Sequence, residues 1–270
     1  MAQILSSNLS GFIPADISNE IIGLATQNSV VMGLGKTIPM NGPKKSFPVQ
    51  TAGVGAYWVN ESEKIQTGAN EYITVELVTK KLGVIVPVSN EALNRPTIDV
   101  FNEHKPYIAS AFAKAFDLAA LFGTNSPFGT GASILEKATN VDVGNEFVIG
   151  SVTGQTIDQD ISDLMALVEK GGFNVNGFAA DIAFKNTLRK ARTTDGTPVF
   201  VDAMGNNIAN VYGQPIGFTN GLFPATSKMI AGNWDYVYVG VESGIEYKIG
   251  TEGTVGTINL FEQDMSALRA

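Results

Sequence analysis

The chain has 270 residues, of which 44% are hydrophobic and only 16% are charged. Its 18 basic and 26 acidic residues give a net charge of −8, and it contains no cysteine and a single histidine. This composition excludes disulfides, thiolate nucleophiles, iron–sulfur clusters and multi-histidine metal sites. It also lacks the basic footprint of a sequence-specific nucleic-acid-binding protein. Because the chain is apolar for its size, we expect part of its surface to contact other chains.

Residues 1–43 are predicted to form an arm rather than a domain with its own core. A short helix is expected to begin near residues 14–16 (Pro-Ala-Asp), and the glycines and prolines between residues 33 and 43 are expected to keep that stretch extended. The N-terminus lacks the basic region and apolar run of a secretory signal. No apolar stretch reaches the roughly 18 residues that a membrane span needs, so no membrane partner is expected.

Residues 44–89 predict a long hairpin. Phe47, Val49 and residues 56–59 are typical of a strand, residues 60–70 form a polar tip, and residues 71–89 are again typical of a strand. A continuous strand over 71–89 would span roughly 60 Å, too long for a compact domain to cover, and would reach a neighbouring subunit. The alternative is two strands broken near Gly83 within one sheet. The pattern leaves both possibilities open.

Helices are predicted over residues 96–122, 157–170 and 181–192. In the first, Thr97 is the expected N-cap, Pro106 should produce a kink or a join, and Gly123 should end the helix. In the second, Thr156 and Gln159 have capping-box spacing. Further strands are expected at 199–201, 229–231, 236–241, 245–249 and 258–261, and residues 123–150 are expected to be loop. Helices and strands are mixed without regular alternation, which indicates an α+β fold.

No catalytic, cofactor or metal site is predicted. The segment 33–37 (GLGKT) lacks the first glycine of a P-loop, because Val30 occupies that position. His104 lies between Glu103 and Lys105, as a surface histidine does, and no nucleophile elbow is present.

Two further patterns also have structural interpretations. Asp158, Asp160 and Asp163 lie in the first turns of a predicted helix, where carboxylates favour the positive end of the dipole. Tyr57 and Trp58 could stack on a sugar, but aromatic residues before a polar tip more often anchor a hairpin.

The order of several segments resembles tailed-phage major capsid proteins of the HK97 fold. The segments are residues 56–65 (AYWVNESEKI), 75–94 (VELVTKKLGVIVPVSNEALN), the alanine-rich helix ending at 121–123, 126–129 (SPFG), 213–216 (GQPI), 230–238 (IAGNWDYVY) and 259–270 (NLFEQDMSALRA). The resemblance covers nearly the whole chain.

The resemblance implies a domain map. Residues 1–43 would be the N-terminal arm and 44–82 the long β-hairpin called the E-loop. Residues 83–135 and 229–270 would form the peripheral (P) domain, with a spine helix over 96–122. Residues 136–228 would form the axial (A) domain. Relatives usually continue past the equivalent of 268–270 into a final strand of the P domain, and an edge left unpaired there would weaken the sheet.

The implied function is self-assembly, through hexamers and pentamers, into an icosahedral shell around the double-stranded DNA of a tailed phage or prophage. The shell would assemble in the host cytoplasm, with non-specific proximity to DNA and a portal, a separate scaffolding protein and head accessory proteins as further partners. No enzymatic activity and no cofactor are implied. The subunit-contact candidates are Phe12, Ile13, Trp58, Glu61, Glu63 and Lys64.

Some relatives join subunits by a Lys–Asn isopeptide bond. Lys64 lies near the tip and Asn259 near a plausible acceptor position, but no carboxylate matches the required base. We therefore expect no crosslink.

Two other functions stay open on the sequence alone. An encapsulin-like bacterial nanocompartment shares the fold but encloses a cargo enzyme. A soluble hydrolase or sugar-binding protein would use the region around Trp58 and would be a monomer.

Overall fold

A computed structural model describes residues 29–52, 56, 58–62, 64, 71–93, 100–141, 145–193, 195–200, 208, 210–224, 227–242 and 248–270. The predictions for Phe12, Ile13, the Thr97 cap and Glu63 lie outside these residues. The chain divides into two units. The larger comprises residues 1–36, 81–239 and 244–270, and the smaller comprises Thr37–Lys80 with Gly240–Ser243.

Helices and strands are mixed along the described residues, as an α+β fold requires. The helices are α1 (Val30–Leu34), α2 (Asn90–Leu93), α3 (Val100–Phe122), α4 (Ile134–Val141), α5 (Ile157–Lys170) and α6 (Lys185–Lys190). The strands are β1 (Lys36–Pro39), β2 (Lys44–Ala52), β3 (Glu71–Val78), β4 (Ile85–Ser89), β5 (Gly177–Asp181), β6 (Asn210–Val211), β7 (Gln214–Thr219), β8 (Met229–Gly232), β9 (Tyr238–Val241), β10 (Lys248–Gly250), β11 (Thr254–Val255), β12 (Ile258–Asn259) and β13 (Met265–Arg269).

A four-stranded sheet in the order β6-β7-β5-β8 organises the larger unit. β5 pairs parallel with β7 and antiparallel with β8. All five residues of β5 are buried, because apolar clusters cover the sheet on both faces. One cluster packs helices α5 and α6 against the sheet and centres on Phe178, Leu188 and Val211. The other includes Val31, Leu121 and Trp234.

Close packing on this sheet explains why one of its positions is occupied by glycine. Gly217 lies in β7 beside helix α1, and a Cβ at this position would lie 2.5 Å from Val30 Cγ1. No side chain fits that gap without displacing Val30. Val30 and Val31 therefore belong to the core of the larger unit. In the stretch from Gly33 to Pro43 that is predicted to be extended, Gly33 and Leu34 belong to helix α1, whereas Lys36–Pro39 is strand β1.

The long helix ends as the sequence predicts. α3 runs to Phe122, and Gly123 follows with φ +70°, where a glycine costs least. The Gly123 N–H bonds to the Ala119 carbonyl at 3.2 Å. Pro106 lies inside one continuous helix, so the expected alternative of a join between two segments is wrong.

A three-stranded sheet has the order β10-β13-β4. β13 pairs antiparallel with both neighbours, through pairs such as Leu268 with Val86 and Leu268 with Ile249. Ala270 exchanges two backbone hydrogen bonds with Val84, at 2.9 and 3.0 Å. β13 is therefore the middle strand of this sheet, with both of its edges paired.

The smaller unit is built on the antiparallel pair of β2 and β3. After Val78 the chain leaves this ribbon, and it forms strand again only at Ile85, in the other unit's sheet. The prediction of an uninterrupted strand over residues 71–89 is therefore wrong. The break near Gly83 is confirmed, although the two strands belong to different sheets. Ala56, Trp58 and Val59 are not in a strand either.

Among the later elements, the 157–170 helix is confirmed, and Gln159 Oε1 accepts from the Thr156 N–H at 3.2 Å, as the capping-box spacing predicts. The predicted 181–192 helix begins later, because β5 extends to Asp181. The Asp181 carboxylate caps a short 3₁₀ turn over Ile182–Phe184 by accepting from the Ala183 N–H at 2.8 Å. Helix α6 follows.

Other predictions need smaller corrections. The expected loop over 123–150 contains helix α4. Val199 and Phe200 form a bend rather than a strand. The 236–241 strand begins only at Tyr238, because Trp234–Tyr236 is a 3₁₀ turn, and the 258–261 strand ends at Asn259. The 229–231 strand is confirmed as β8.

Candidate assembly surfaces

The β2–β3 ribbon presents an apolar face to solvent. Opposed residues in an antiparallel pair lie on one face, and here Val49 opposes Ile73 while Phe47 opposes Val75. The exposed fractions of Val49, Ile73 and Val75 are 40%, 52% and 42%. A two-stranded ribbon with an exposed apolar face gains stability when another surface covers it.

The opposite face of the ribbon is polar at its edges. Lys44 Nζ lies 3.9 Å from Glu76 Oε2, with both side chains more than half exposed. Such a pair contributes at most about 1 kcal/mol. Lys45 shares the apolar face with Phe47, because side chains two residues apart in a strand lie on one face. Its ammonium lies 5.3 Å from the centroid of the Phe47 ring and donates to the Pro39 carbonyl at 2.9 Å. Val49, Ile73 and Val75 on the apolar face remain exposed beside these contacts.

Three of the predicted contact residues lie between the two strands. Trp58 is fully exposed, at 103% of its reference area, and Glu61 and Lys64 are also exposed. Burying an exposed tryptophan at an interface has a low desolvation cost, because its ring is largely apolar, and tryptophan is a frequent anchor of protein interfaces. The structure thus leaves these side chains free to meet another chain.

Sequence reasoning placed Ile73 and Val75 on one face of a strand but did not propose them as contact residues. The period-2 alternation over 71–78 was the available signal. It also missed Phe261, which is 80% exposed in the turn after β12. No sequence signal distinguished this phenylalanine from a buried one, because the 258–261 stretch is typical of a strand throughout.

A buried carboxylate joins helix α1 to helix α3. Asp117, with an exposed fraction of 2%, accepts from the Ser29 hydroxyl at 2.6 Å and from the Val30 and Val31 N–H groups at 3.0 and 3.3 Å. Burial raises the pKa of Asp117, and these three hydrogen bonds oppose that rise. The group is a helix cap rather than a site of chemistry, because protein donors occupy its oxygens.

Nothing in the described residues resembles a catalytic or metal centre. Within them, no group of three or more histidine, cysteine, aspartate or glutamate side chains could hold a metal ion. His104 lies near Tyr107, with ring centroids 6.4 Å apart. No helix among the described residues is long and apolar enough to cross a membrane. The features that stand out are therefore exposed apolar surfaces.

Comparison with known proteins accounts for such surfaces. The model of the phage capsid family matches residues 10–270. The chain belongs to the phage capsid family. It is 33% identical over 270 residues to the major capsid protein of Staphylococcus phage 80alpha, covering 96% of this chain and 79% of that protein. It is also 22% identical to the probable major capsid protein of Mycobacterium phage D29, covering 100% and 87%.

Solved structures give the same result. One from Microbacterium phage Oxtober96 superimposes with a TM-score of 0.76 at 26% identity, covering 89% of this chain and 82% of that one. One from Mycobacterium phage Bobi gives 0.75 at 25% identity, covering 99% and 90%. The expected α+β fold of tailed-phage capsid proteins is confirmed. Of the functions that the sequence left open, that of a shell-forming major capsid protein of a tailed phage is confirmed.

Proposed function

We propose that this capsid protein builds an icosahedral shell of hexamers and pentamers around double-stranded DNA, and that its hairpin makes a principal contact between neighbouring subunits. The observation that carries the proposal is the exposed apolar face of the β2–β3 ribbon, with Ile73 52% exposed and the fully exposed Trp58 following β2. Burying such surface contributes roughly 25 cal/mol per Å² before the costs of association are subtracted.

In this proposal residues 1–43 are the N-terminal arm and 44–82 the E-loop. Residues 83–135 and 229–270 form the P domain, with the spine helix over 96–122, and 136–228 form the A domain. Contacts are made by Phe12 and Ile13 of the arm and by Trp58, Glu61, Glu63 and Lys64 of the hairpin. The structure of the described residues supports a separate hairpin, because Thr37–Lys80 cluster apart from most of the chain.

The net charge of −8 suits an enclosing shell. A basic lining would bind packaged DNA non-specifically, whereas an acidic or neutral one leaves it free to move. DNA is thus a neighbour and not a specific ligand. A portal, a separate scaffolding protein and head accessory proteins are further partners, and assembly takes place in the host cytoplasm. The protein has no enzymatic role.

Electron microscopy and sedimentation of the purified full-length protein test this function. We expect closed particles tens of nanometres across, with five-fold and six-fold clusters of subunits in the reconstructed shell. The protein is also co-expressed with the neighbouring phage genes. Particles that form only under co-expression would indicate that a separate scaffolding protein is needed. A protein that stays monomeric under both conditions would contradict the proposal.

A further inference from the structure

A groove crosses the larger unit beside helix α5. Its volume is about 870 Å³, and residues of α5, β8 and the segment 145–149 line it. Most of the lining is apolar, and Val148 and Ile149 at its rim are 68% and 45% exposed. A groove of this size accommodates a short peptide segment or a ligand of similar volume.

One buried carboxylate oxygen in this groove has no partner. Asp160 is 3% exposed, and its Oδ2 accepts from the Gly150 N–H at 3.0 Å. Its Oδ1 is buried and receives no hydrogen bond. Buried polar atoms in folded proteins are almost always hydrogen-bonded, and an unpaired carboxylate oxygen is especially costly. The groove therefore lacks a donor, and a cationic one suits a carboxylate best.

The groove itself does not supply that cation. Lys228 lines it, but the ion pairs among the described residues are Lys36–Asp235 and Lys44–Glu76, so Lys228 is not paired with Asp160. Asp181, also in the lining, adds a second buried carboxylate. The groove thus combines apolar walls with excess negative charge. It is complementary to a segment that carries lysine or arginine between apolar residues.

The sequence narrows the choice among segments of a second copy. Residues 1–28 contain no lysine or arginine. The hairpin end places Lys64 beside Glu61 and Glu63, which the groove carboxylates would repel. Helix α6 borders the groove through Thr187, so its cations belong to the rim.

The segment 78–82 (VTKKL) carries the lysines and the flanking apolar residues that the groove would bind. Lys80 and Lys81 are exposed, and the apolar residues that flank them are also exposed, Val78 at 41% and Leu82 at 49%. The segment contains no acidic residue, and Thr79–Val84 lie between two strands without regular structure. It therefore offers two ammonium groups between two exposed aliphatic side chains.

We infer that residues 78–82 of one subunit dock in the Asp160 groove of a second subunit, with a lysine ammonium donating to Asp160 Oδ1. The inference rests on the proposed shell, because it needs two copies in contact. It adds a named pair of surfaces to that proposal.

Zero-length carbodiimide coupling tests the inference directly, since it joins a carboxylate to an amine only when the two are in contact. Shells are assembled from an equal mixture of ¹⁴N- and ¹⁵N-labelled subunits, coupled, digested and examined by mass spectrometry. We expect a mixed-isotope peptide that joins Asp160 to Lys80 or Lys81, present in shells and absent from unassembled subunits. Coupling of Asp160 to Lys228 of the same copy, to a lysine of another phage protein, or to no lysine overturns the inference.

Charge reversal provides a second readout. We expect the double variant K80E/K81E to lower the yield of shells at least about tenfold, because like charges then meet in the groove. The further change Asp160→Asn should restore much of that yield. The matched control K114E/K170E reverses two exposed lysines elsewhere and should assemble normally. Normal assembly of K80E/K81E overturns the inference while leaving the shell itself established by microscopy.

Discussion

Replacing Asp117 with alanine is expected to destabilise the subunit and to free the segment around helix α1. Asp117 Oδ1 and Oδ2 together accept three hydrogen bonds, from the Ser29 hydroxyl and from the N–H groups of Val30 and Val31. All three donor residues are buried, at 3%, 8% and 1% exposure. In the variant these donors lose the carboxylate oxygens that accept from them.

The magnitude follows from these contacts. An unsatisfied buried donor costs about 1–3 kcal/mol, and loss of a helix cap costs about 0.5–2 kcal/mol. The desolvation of the carboxylate, which the variant relieves, offsets part of that loss. We therefore expect Asp117→Ala to lower the free energy of unfolding by about 2–4 kcal/mol. Asp117→Asn keeps one acceptor oxygen and should cost about half as much.

Urea unfolding of unassembled subunits measures these differences, and limited proteolysis between residues 29 and 36 reports on α1. Ser110→Ala, on an exposed position of the same helix, is the control and should change stability by less than about 0.5 kcal/mol. An Asp117→Ala variant within that margin of the wild type, with no new cleavage near α1, would refute the reasoning.

The pH dependence of the same variants gives an independent check. Because burial raises the pKa of Asp117 above 3.8, the folded state binds the proton more tightly than the unfolded state does. The contribution of Asp117 to the free energy of unfolding is therefore fully present below pH 3.8, and it is lost as the pH rises through the raised pKa. The deficit of Asp117→Asn should be largest at the acidic end and should shrink as the pH rises. A deficit that grows with pH would contradict this sign.

Three further outcomes are expected. Trp58→Ala should lower the yield of shells, scored by sedimentation, more than it lowers the soluble fraction, and normal particles would count against a hairpin contact. Gly217→Ala should cost about 1–3 kcal/mol of unfolding free energy in a urea titration, since its Cβ would lie 2.5 Å from Val30 Cγ1. The added change Val30→Ala should reduce that penalty, and full additivity of the two losses would refute the steric explanation. Assembled shells boiled in SDS should migrate as monomers, and a covalent ladder would disprove the absence of a crosslink through Lys64.

Local signals predicted some elements well. Helix α5 carries its boundary information in its own sequence, with Thr156 and Gln159 at one end and a 3–4 apolar spacing between them and Gly171. The Gly123 stop of helix α3 is equally local. Such elements are predictable because the residues that stabilise their ends lie within a few positions of those ends.

Elements that depend on distant partners were missed. Strand β5 (GFAAD) is short, lacks β-branched residues and shows no alternation, because sheet neighbours and helices bury it on both faces. Strand β13 likewise takes its structure from β4 and β10. Helix α1 has five residues, and its cap includes a carboxylate 87 residues further along the chain, at Asp117.

The candidate surfaces were also predictable only where the signal is local in the sequence. The alternation over 71–78 predicted which residues share a face of the ribbon, but not that this face is exposed. Asp160 was predicted to favour a helix N-terminus, and it does lie in the first turn of α5. Its burial against Gly150 and its unpaired oxygen arise from a loop and a sheet that no local pattern brings together.

The central position of β13 has a consequence for the order in which the parts of the chain fold. Its Ser266 bonds to Asn90, 176 residues earlier, and both side strands of that sheet remain unpaired until β13 arrives. Closing so long a loop is slow compared with forming the local β2–β3 hairpin. A nascent chain or a truncated fragment therefore carries the hairpin but not a finished sheet. We therefore expect the three-stranded sheet to close only after the chain has been made through β13.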